Sequence, residues 1–413
     1  MLDKICRGRV QFSLNMLNAF FSIWRKNIEG KAALVNEFER KFAAYIGGNY
    51  AISTASAKTA LYLSLQALGA REGDEIIVPA YTVREVIDVI IILGLVPVFV
   101  DINLKDANID AELIEDKISN KTRFVLMTHI YGCPCDVAEI LKISRKYNLV
   151  VVEDAAQAFG GEYKLKKTGS FGKVSYFSFG SLKNLNTLGG GIIVTNDCQI
   201  AQFLRKKIEE MDNISSFEIL RRLCAAVVIS FFTLPKIFSI LVYPVLFLLK
   251  KINFKTRETT FKLKSINSSD LKKYNVKFSS AQAAMGLTQM ANIDAMNNAR
   301  INNAKILNEN LKDVSTIKIF KENADKKNIY LNYVIRVQNR NKFVDDLFSQ
   351  GFDVSPGQVI CCADQEDFKE YYCDCPMSRK MQKENIYMPI YSPLNVMHMH
   401  EIAAALRGQS DKK

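Results

Sequence analysis

From Phe38 to Thr195 the chain alternates short apolar runs with stretches in which apolar residues return every three or four positions. The runs predict strands at Ile76–Pro79, Pro97–Asp101, Arg123–His129, Leu149–Asp154, Val174–Phe179 and Gly191–Thr195. The three-to-four periodicity predicts helices at Ala57–Leu68, Val83–Leu93, Asp110–Ile118 and Ala138–Tyr147. Strand, crossover helix, strand is the grammar of an α/β fold with a large, doubly wound, mostly parallel sheet. In such sheets ligands sit at the carboxyl ends of the strands, so the residues there carry the interest. Further on, the pattern predicts one long helix over Ser279–Leu311, a strand at Tyr330–Val337, a helix near Asn341–Gln350 and a closing helix at Met397–Leu406. That reads as a small C-terminal α+β domain.

Two segments stand outside this alternation. Val10 to Trp24 is apolar with a polar stripe of Gln11, Asn15, Asn18, Ser22 and Arg25, which makes an amphipathic helix. No small-residue cleavage site follows, so it is not read as a signal peptide; it either lies in a membrane interface or packs on the body. Between Arg222 and Lys250 lie 27 residues with one charge, Lys236. Pro235 splits them into Leu223–Leu234 and Ile237–Leu249, and Pro244 breaks the second run. Neither is long enough to span a bilayer, which takes about 20 residues. The resulting division is 1–30 for the N-terminal helix, 31–212 for the large domain, 213–265 for an apolar and basic insertion, and 266–413 for the long helix and small domain.

Composition sharpens this picture. The chain has 413 residues, 48% hydrophobic and 24% charged, which is globular and excludes collagen, long disorder and disulfide miniproteins. Nine cysteines, an odd number in a long chain, suit reduced thiols in the cytoplasm. The net charge is +12, and the stretch Arg205–Lys277, with fifteen cations against six acids, supplies +9 of it. Basic residues bordering the most apolar run point to an anionic membrane surface. No aromatic–basic interleaving or finger spacing points to nucleic acid.

The chemistry lies in three spaced elements. Leu149-Val150-Val151-Val152-Glu153-Asp154 ends a buried strand with an acid and continues into Ala155-Ala156-Gln157-Ala158. Val174-Ser175-Tyr176-Phe177-Ser178-Phe179 leads to Gly180-Ser181-Leu182-Lys183-Asn184 and then Gly189-Gly190-Gly191. Earlier, Ala55-Ser56-Ala57-Lys58-Thr59 opens a helix. A pyridoxal phosphate site needs a lysine to hold the aldehyde as a Schiff base. It needs a carboxylate against the pyridine nitrogen, so that the ring can serve as an electron sink. A helix N-terminus rich in small residues and hydroxyls can cradle the phosphate.

With these motifs the sequence resembles the DegT/DnrJ/EryC1/StrS sugar aminotransferases, fold-type I pyridoxal phosphate enzymes. The likeness runs from about Val35 to Leu406, outside the insertion. It is carried by Glu153-Asp154-Ala155-Ala156-Gln157-Ala158, Phe177-Ser178-Phe179-x-x-x-Lys183-Asn184 and Gln282-Ala283-Ala284-Met285-Gly286-Leu287-x-Gln289. Thr128-His129-Ile130-Tyr131-Gly132 with Asp136, and Gly73-Asp74-Glu75-Ile76-Ile77-Val78-Pro79, match as well. The resemblance implies Lys183 as the Schiff-base lysine and proton shuttle, Asp154 at the pyridine nitrogen and Gln157 near the ring's phenolic oxygen. It implies Ser178, Ala57 and Lys58 on the phosphate. It puts Lys277 where a residue of the second subunit reaches the phosphate, hence a homodimer with shared sites. The expected cofactor is pyridoxal 5'-phosphate. The expected reactants are a keto sugar, nucleotide-linked or lipid-linked, and an amino donor such as glutamate, in cell-surface polysaccharide or lipopolysaccharide assembly.

The sequence departs from the family on the substrate side. Val83 stands where an aromatic stacks on the cofactor, with Tyr81 two positions earlier as its substitute. Gly180 replaces a histidine, and Gly189 an acid. Ser355-Pro356-Gly357 and Cys361-Cys362 replace a His-Tyr segment. His129 reads as a packed strand-end residue. The spacings of Cys133, Cys135, Cys361, Cys362, Cys373 and Cys375 are not those of structural zinc, so no metal is expected. Because Lys183 precedes the insertion and Lys277 follows it, the chain must return to the side it left. The insertion is therefore a re-entrant or interfacial hairpin on the inner face of the cytoplasmic membrane, or an arm packed on the partner subunit. A sugar dehydratase with the same cofactor, and a non-catalytic membrane-docked interaction protein, are the alternatives to the transaminase.

Overall fold

The apolar runs become a seven-stranded central sheet. Its strands are β1 (Tyr50–Thr54), β2 (Glu75–Pro79), β3 (Val96–Val100), β4 (Thr122–Thr128), β5 (Val150–Asp154), β6 (Val174–Ser178) and β7 (Gly191–Thr195). The computed structural model describes residues 3–24, 29–252, 275–391 and 394–410. The strand order is β1-β7-β6-β5-β4-β2-β3; β7 runs antiparallel to both neighbours and every other pairing is parallel. Because successive side chains of a strand point to opposite faces, each run serves two cores. Ile76, Val78, Phe124 and Leu126 meet helices α3 (Ala57–Ala67), α4 (Arg84–Ile92) and α6 (Cys198–Glu209) on one face. Ile77, Val125 and Met127 meet α5 (Val137–Lys146) on the other, while Phe177 and Ile192 meet α2 (Glu29–Ile46).

The six predicted strands lie within about one residue of the observed ones, and three expectations change. Tyr50–Thr54 is an edge strand the pattern did not announce. Asp110–Ile118 is not one helix but two single 3-10 turns, Ala111–Leu113 and Glu115–Lys117. The long helix over Ser279–Leu311 is broken at Ala291–Asn292 into α9 (Ser280–Met290) and α10 (Ile293–Leu311). The small sheet, β8 (Lys318–Ile319), β9 (Tyr333–Arg336) and β10 (Asn385–Met388), is antiparallel. It packs with α10, α11 (Arg340–Ser349) and α12 (Val396–Ser410) through Leu307, Ile335, Leu347, Ile386 and Ile402.

The insertion is two helices, α7 (Ser216–Phe232) and α8 (Pro235–Lys251), bent by 70° at their junction. Its base is closed where Asp212–Asn213 pairs in parallel with Val276–Lys277. The N-terminal helix α1 (Leu14–Trp24) packs on the body: Met16 and Phe20 meet Ile219 and Leu223 of α7 and Met285 of α9. Residues 253–265 of the insertion lie outside the described residues. So do Arg25 and, among the cations counted above, Lys255, Arg257, Lys262, Lys264, Lys272 and Lys273.

Candidate active site

The carboxyl edge of the parallel strands collects most of the residues singled out in the sequence. Asp154 is the last residue of β5, in register with Thr128 of β4 and Tyr176 of β6. It is buried, and burial lifts its carboxyl above the ordinary range. The Ala156 amide (3.0 Å to Oδ1), the Tyr176 hydroxyl and the charges of Lys183 and His129 pull the other way. The Tyr176 hydroxyl lies beside this carboxylate without a well-directed hydrogen bond, and like Thr128 Oγ1 it is buried with no hydrogen-bond partner among the described residues.

Lys183 follows β6 on a loop returning to β7. The loop is stitched to the sheet: its amide donates to the Gly180 carbonyl (2.9 Å), the Phe179 amide to the Gly190 carbonyl (2.9 Å), and the Thr187 and Gly189 amides to the Phe179 carbonyl (3.1 Å each). From α9, Gln282 donates to the carbonyls of Thr187 (3.2 Å) and Gly189 (3.0 Å), and Gln289 to that of Asn186 (2.6 Å). The side chain of Lys183 is half-buried. Desolvation brings its ammonium down to about 8, against the opposing pull of the Asp154 and Glu85 carboxylates. Glu85, in the first turn of α4, escaped the sequence reading; its Oε2 is buried without a hydrogen-bond partner. Its signal in the sequence is an acid just after a strand end.

The helix start lies opposite. Ser56 caps α3 by accepting from the Thr59 amide (3.1 Å), with first-turn positions Ala57 and Lys58 behind it. Gly191 pairs with Ser178 across the sheet, and a Cβ on it would come within 2.7 Å of the Ala57 nitrogen. Gly191 thus lets the start of α3, with Ala57 and Lys58 in its first turn, come up against the strand pair that carries Ser178. Gln157 Oε1 accepts from the Tyr131 amide (3.0 Å), which leaves its NH2 as the group it can offer a ring oxygen.

Two expected residues sit apart from this set. Tyr81 is fully buried: its hydroxyl shares a hydrogen bond with that of Tyr131 (2.6 Å) and accepts from Asn385, and its backbone pairs with Cys361. Its ring has no open face for stacking. Lys277 lies on the clamp at the base of the insertion, paired with Asn213, and no described contact joins it to Lys183 or Asp154. His129 is packed as the sequence reading had it, with Nε2 2.8 Å from Glu153 and Nδ1 accepting the Cys135 amide (3.1 Å). The thiols of Cys133, Cys135, Cys361, Cys362 and Cys375 are free, and burial raises all five.

These residues fit pyridoxal phosphate: an amine brought down to about 8, a buried carboxylate with orphan hydroxyls beside it, and a capped helix end drawn against the sheet at a glycine. Residues 18–222 and 247–407 match the DegT/DnrJ/EryC1/StrS aminotransferase family, and the chain belongs to it. Among curated relatives, GDP-perosamine synthase of Escherichia coli O157:H7 is 42% identical over 170 residues, 41% of this chain and 47% of that one. A dTDP-3-amino-3,6-dideoxy-alpha-D-galactopyranose transaminase of Aneurinibacillus thermoaerophilus is 42% identical over 171 residues, again 41% and 47%. The aligned part therefore spans about half the length of these relatives. Among solved structures, PseC of Helicobacter pylori, an aminotransferase of pseudoaminic acid biosynthesis, superimposes with a TM-score of 0.78 at 18% identity, covering 99% and 100% of the two chains. An E. coli GDP-4-keto-6-deoxy-D-mannose-3-dehydratase with bound hydrated PLP gives 0.76 at 19% identity, covering 98% and 100%.

Proposed function

We propose that the protein is a pyridoxal-phosphate-dependent aminotransferase that converts a keto sugar to an amino sugar for cell-surface polysaccharide assembly. The observation that carries this reading is Lys183, its ammonium brought down to about 8 by desolvation, within electrostatic reach of the buried carboxylate of Asp154 at one sheet edge. When bound, the cofactor supplies an electron sink for charge left on carbon as a proton departs. Asp154 would hold the pyridine nitrogen protonated, and Gln157 would donate its NH2 to the ring oxygen. The α3 N-terminus and Ser178 would hold the phosphate. Lys183 accepts and returns the proton at the reacting carbon; a titration point near the working pH suits both directions. The alternative of a dehydratase is favoured only by the likeness to the E. coli enzyme.

The reading extends to assembly and place. Lys277 would act from the partner subunit of a homodimer. The enzyme would work in the cytoplasm, held peripherally at the inner face of the cytoplasmic membrane. Purified protein should be yellow, and Lys183→Ala should lose the colour that reports a cofactor joined to lysine. Pyridoxamine phosphate formed from glutamate would separate transaminase from dehydratase. A Lys183→Ala protein as yellow as wild type rejects the assignment.

A further inference from the structure

The family match stops at residue 222 and resumes at 247, so most of the two helices of the insertion lies outside it. One side of each is seated on the protein. Ile219, Leu223 and Ala226 of α7 pack with α1 and Leu188, while Phe238 and Tyr243 of α8 pack into the small-domain core. The opposite side is apolar too. Val228, Phe231, Phe232, Ile240, Val245 and Leu248 are exposed, Ile240 by 70% and Leu248 by 62%. A helix apolar on both sides is at home only when both are covered.

What covers the outer side follows from charge and backbone. Of the five cations across Ser216–Ile252, Arg221 and Arg222 pair with Glu218 and Lys250 pairs with Asp345, which leaves Lys236 and Lys251 to face outward. Lys236 is exposed at the elbow, between Phe232 and Ile240, and Lys251 is exposed at the far end. Protein interfaces are depleted of charge at their cores, and lysine above all. An anionic headgroup layer instead supplies the countercharge while the apolar side chains enter the acyl boundary. At the bend, hydroxyls satisfy carbonyls locally: Thr233 donates to Ile229 (2.8 Å) and Ser239 to Pro235 (2.7 Å), the requirement for a bent backbone near lipid. Seventeen residues of α7 give about 25 Å, short of the roughly 30 Å hydrocarbon layer, and no single described helix is long and apolar enough to cross.

We infer that the outer face of α7 and α8 is a docking surface for an anionic lipid leaflet, lying in it as a bent wedge without crossing. This rests on the proposed peripheral location and adds where contact is made. The seat of the wedge is the Lys183 loop itself: Leu188 packs under α7, and Arg222 donates to the Leu188 carbonyl (3.3 Å) with its guanidinium against Gly189. The wedge therefore lies between the active-site loop and the leaflet.

Flotation of the full-length, cofactor-loaded protein with phosphatidylglycerol–phosphatidylcholine vesicles tests this against vesicles of phosphatidylcholine alone. The wild type should float with the anionic vesicles, stay behind with the neutral ones and be released by salt. Lys236→Glu with Lys251→Glu should weaken flotation at least about tenfold. Phe231→Ser, Ile240→Ser and Leu248→Ser combined should abolish it, with colour and subunit assembly unchanged. Failure of the wild type to float overturns the inference, as does flotation indifferent to both variants. Dissociation of the serine variant into monomers, with a wild type that does not float, identifies the wedge as a subunit arm. A colourless protein that still floats would count against the aminotransferase reading alone.

Discussion

Lys183 sits where its charge is unwelcome, and the consequence is measurable without turnover. Its amine titrates at about 8 in the folded chain against 10.5 ordinarily, because burial outweighs Asp154 and Glu85. Between those pH values the unfolded chain binds more protons than the folded one, so this group's penalty fades as pH rises and is fully present below about 8. Cofactor-free Lys183→Met should therefore be more stable than wild type at pH 7, by up to about 3 kcal/mol from the relieved charge. The difference should shrink toward pH 10.5, followed by urea unfolding. Glu85→Gln removes a carboxylate that favours the ammonium and should move the lower edge of that window down. Parallel stability curves for wild type and Lys183→Met would refute the buried amine. Lys183 and Asp154 were legible because chemistry demands those residue types after those strands. Glu85 was not, since its meaning depends on α4 turning its first residues toward a loop about a hundred positions away.

At the level of elements, β7 and α3 meet through the absence of a side chain. A Cβ on Gly191 would lie 2.7 Å from the Ala57 nitrogen and 2.7 Å from the Ser56 carbonyl carbon, backbone atoms that cannot swing aside. Gly191→Ala should push the capped end of α3 away from Ser178. The expected cost is about 1–3 kcal/mol in stability, together with weaker binding of pyridoxal phosphate by equilibrium dialysis. Gly408→Ala, in α12 with open space around it, is the control: it should leave cofactor affinity unchanged and raise stability by up to about 1 kcal/mol through helix propensity. Unchanged affinity in the Gly191 variant would separate this junction from the phosphate. The central strands could be read because each is a run of β-branched and aromatic residues buried on both faces. Tyr50–Thr54 could not, being an edge strand of mixed polarity held by pairing to β7. The break at Ala291–Asn292 carries no glycine or proline. It arises because α9 stays on the Lys183 loop through Gln282 and Gln289 while α10 leaves to pack on the small sheet.

For the whole molecule, the position of Lys277 is the open term. Within its own chain it pairs with Asn213 at the base of the wedge, and no described contact takes it to Lys183. If it serves the phosphate, the geometry is satisfied by a second copy of the chain, whose Lys277 would enter this site while this Lys277 enters the other. A two-fold dimer makes that exchange reciprocal. Lys183→Ala and Lys277→Ala homodimers should then each be impaired, the first without activity. In a mixed dimer one site would combine both substitutions, and the other would have wild-type Lys183 from one chain and wild-type Lys277 from its partner. Activity recovered on mixing should approach half of the wild-type value per verified heterodimer. It should appear only at the rate of subunit exchange. If Lys277 acts within its own chain, each site of the mixed dimer carries one lesion, and verified heterodimers would show no recovery beyond the activity retained by Lys277→Ala.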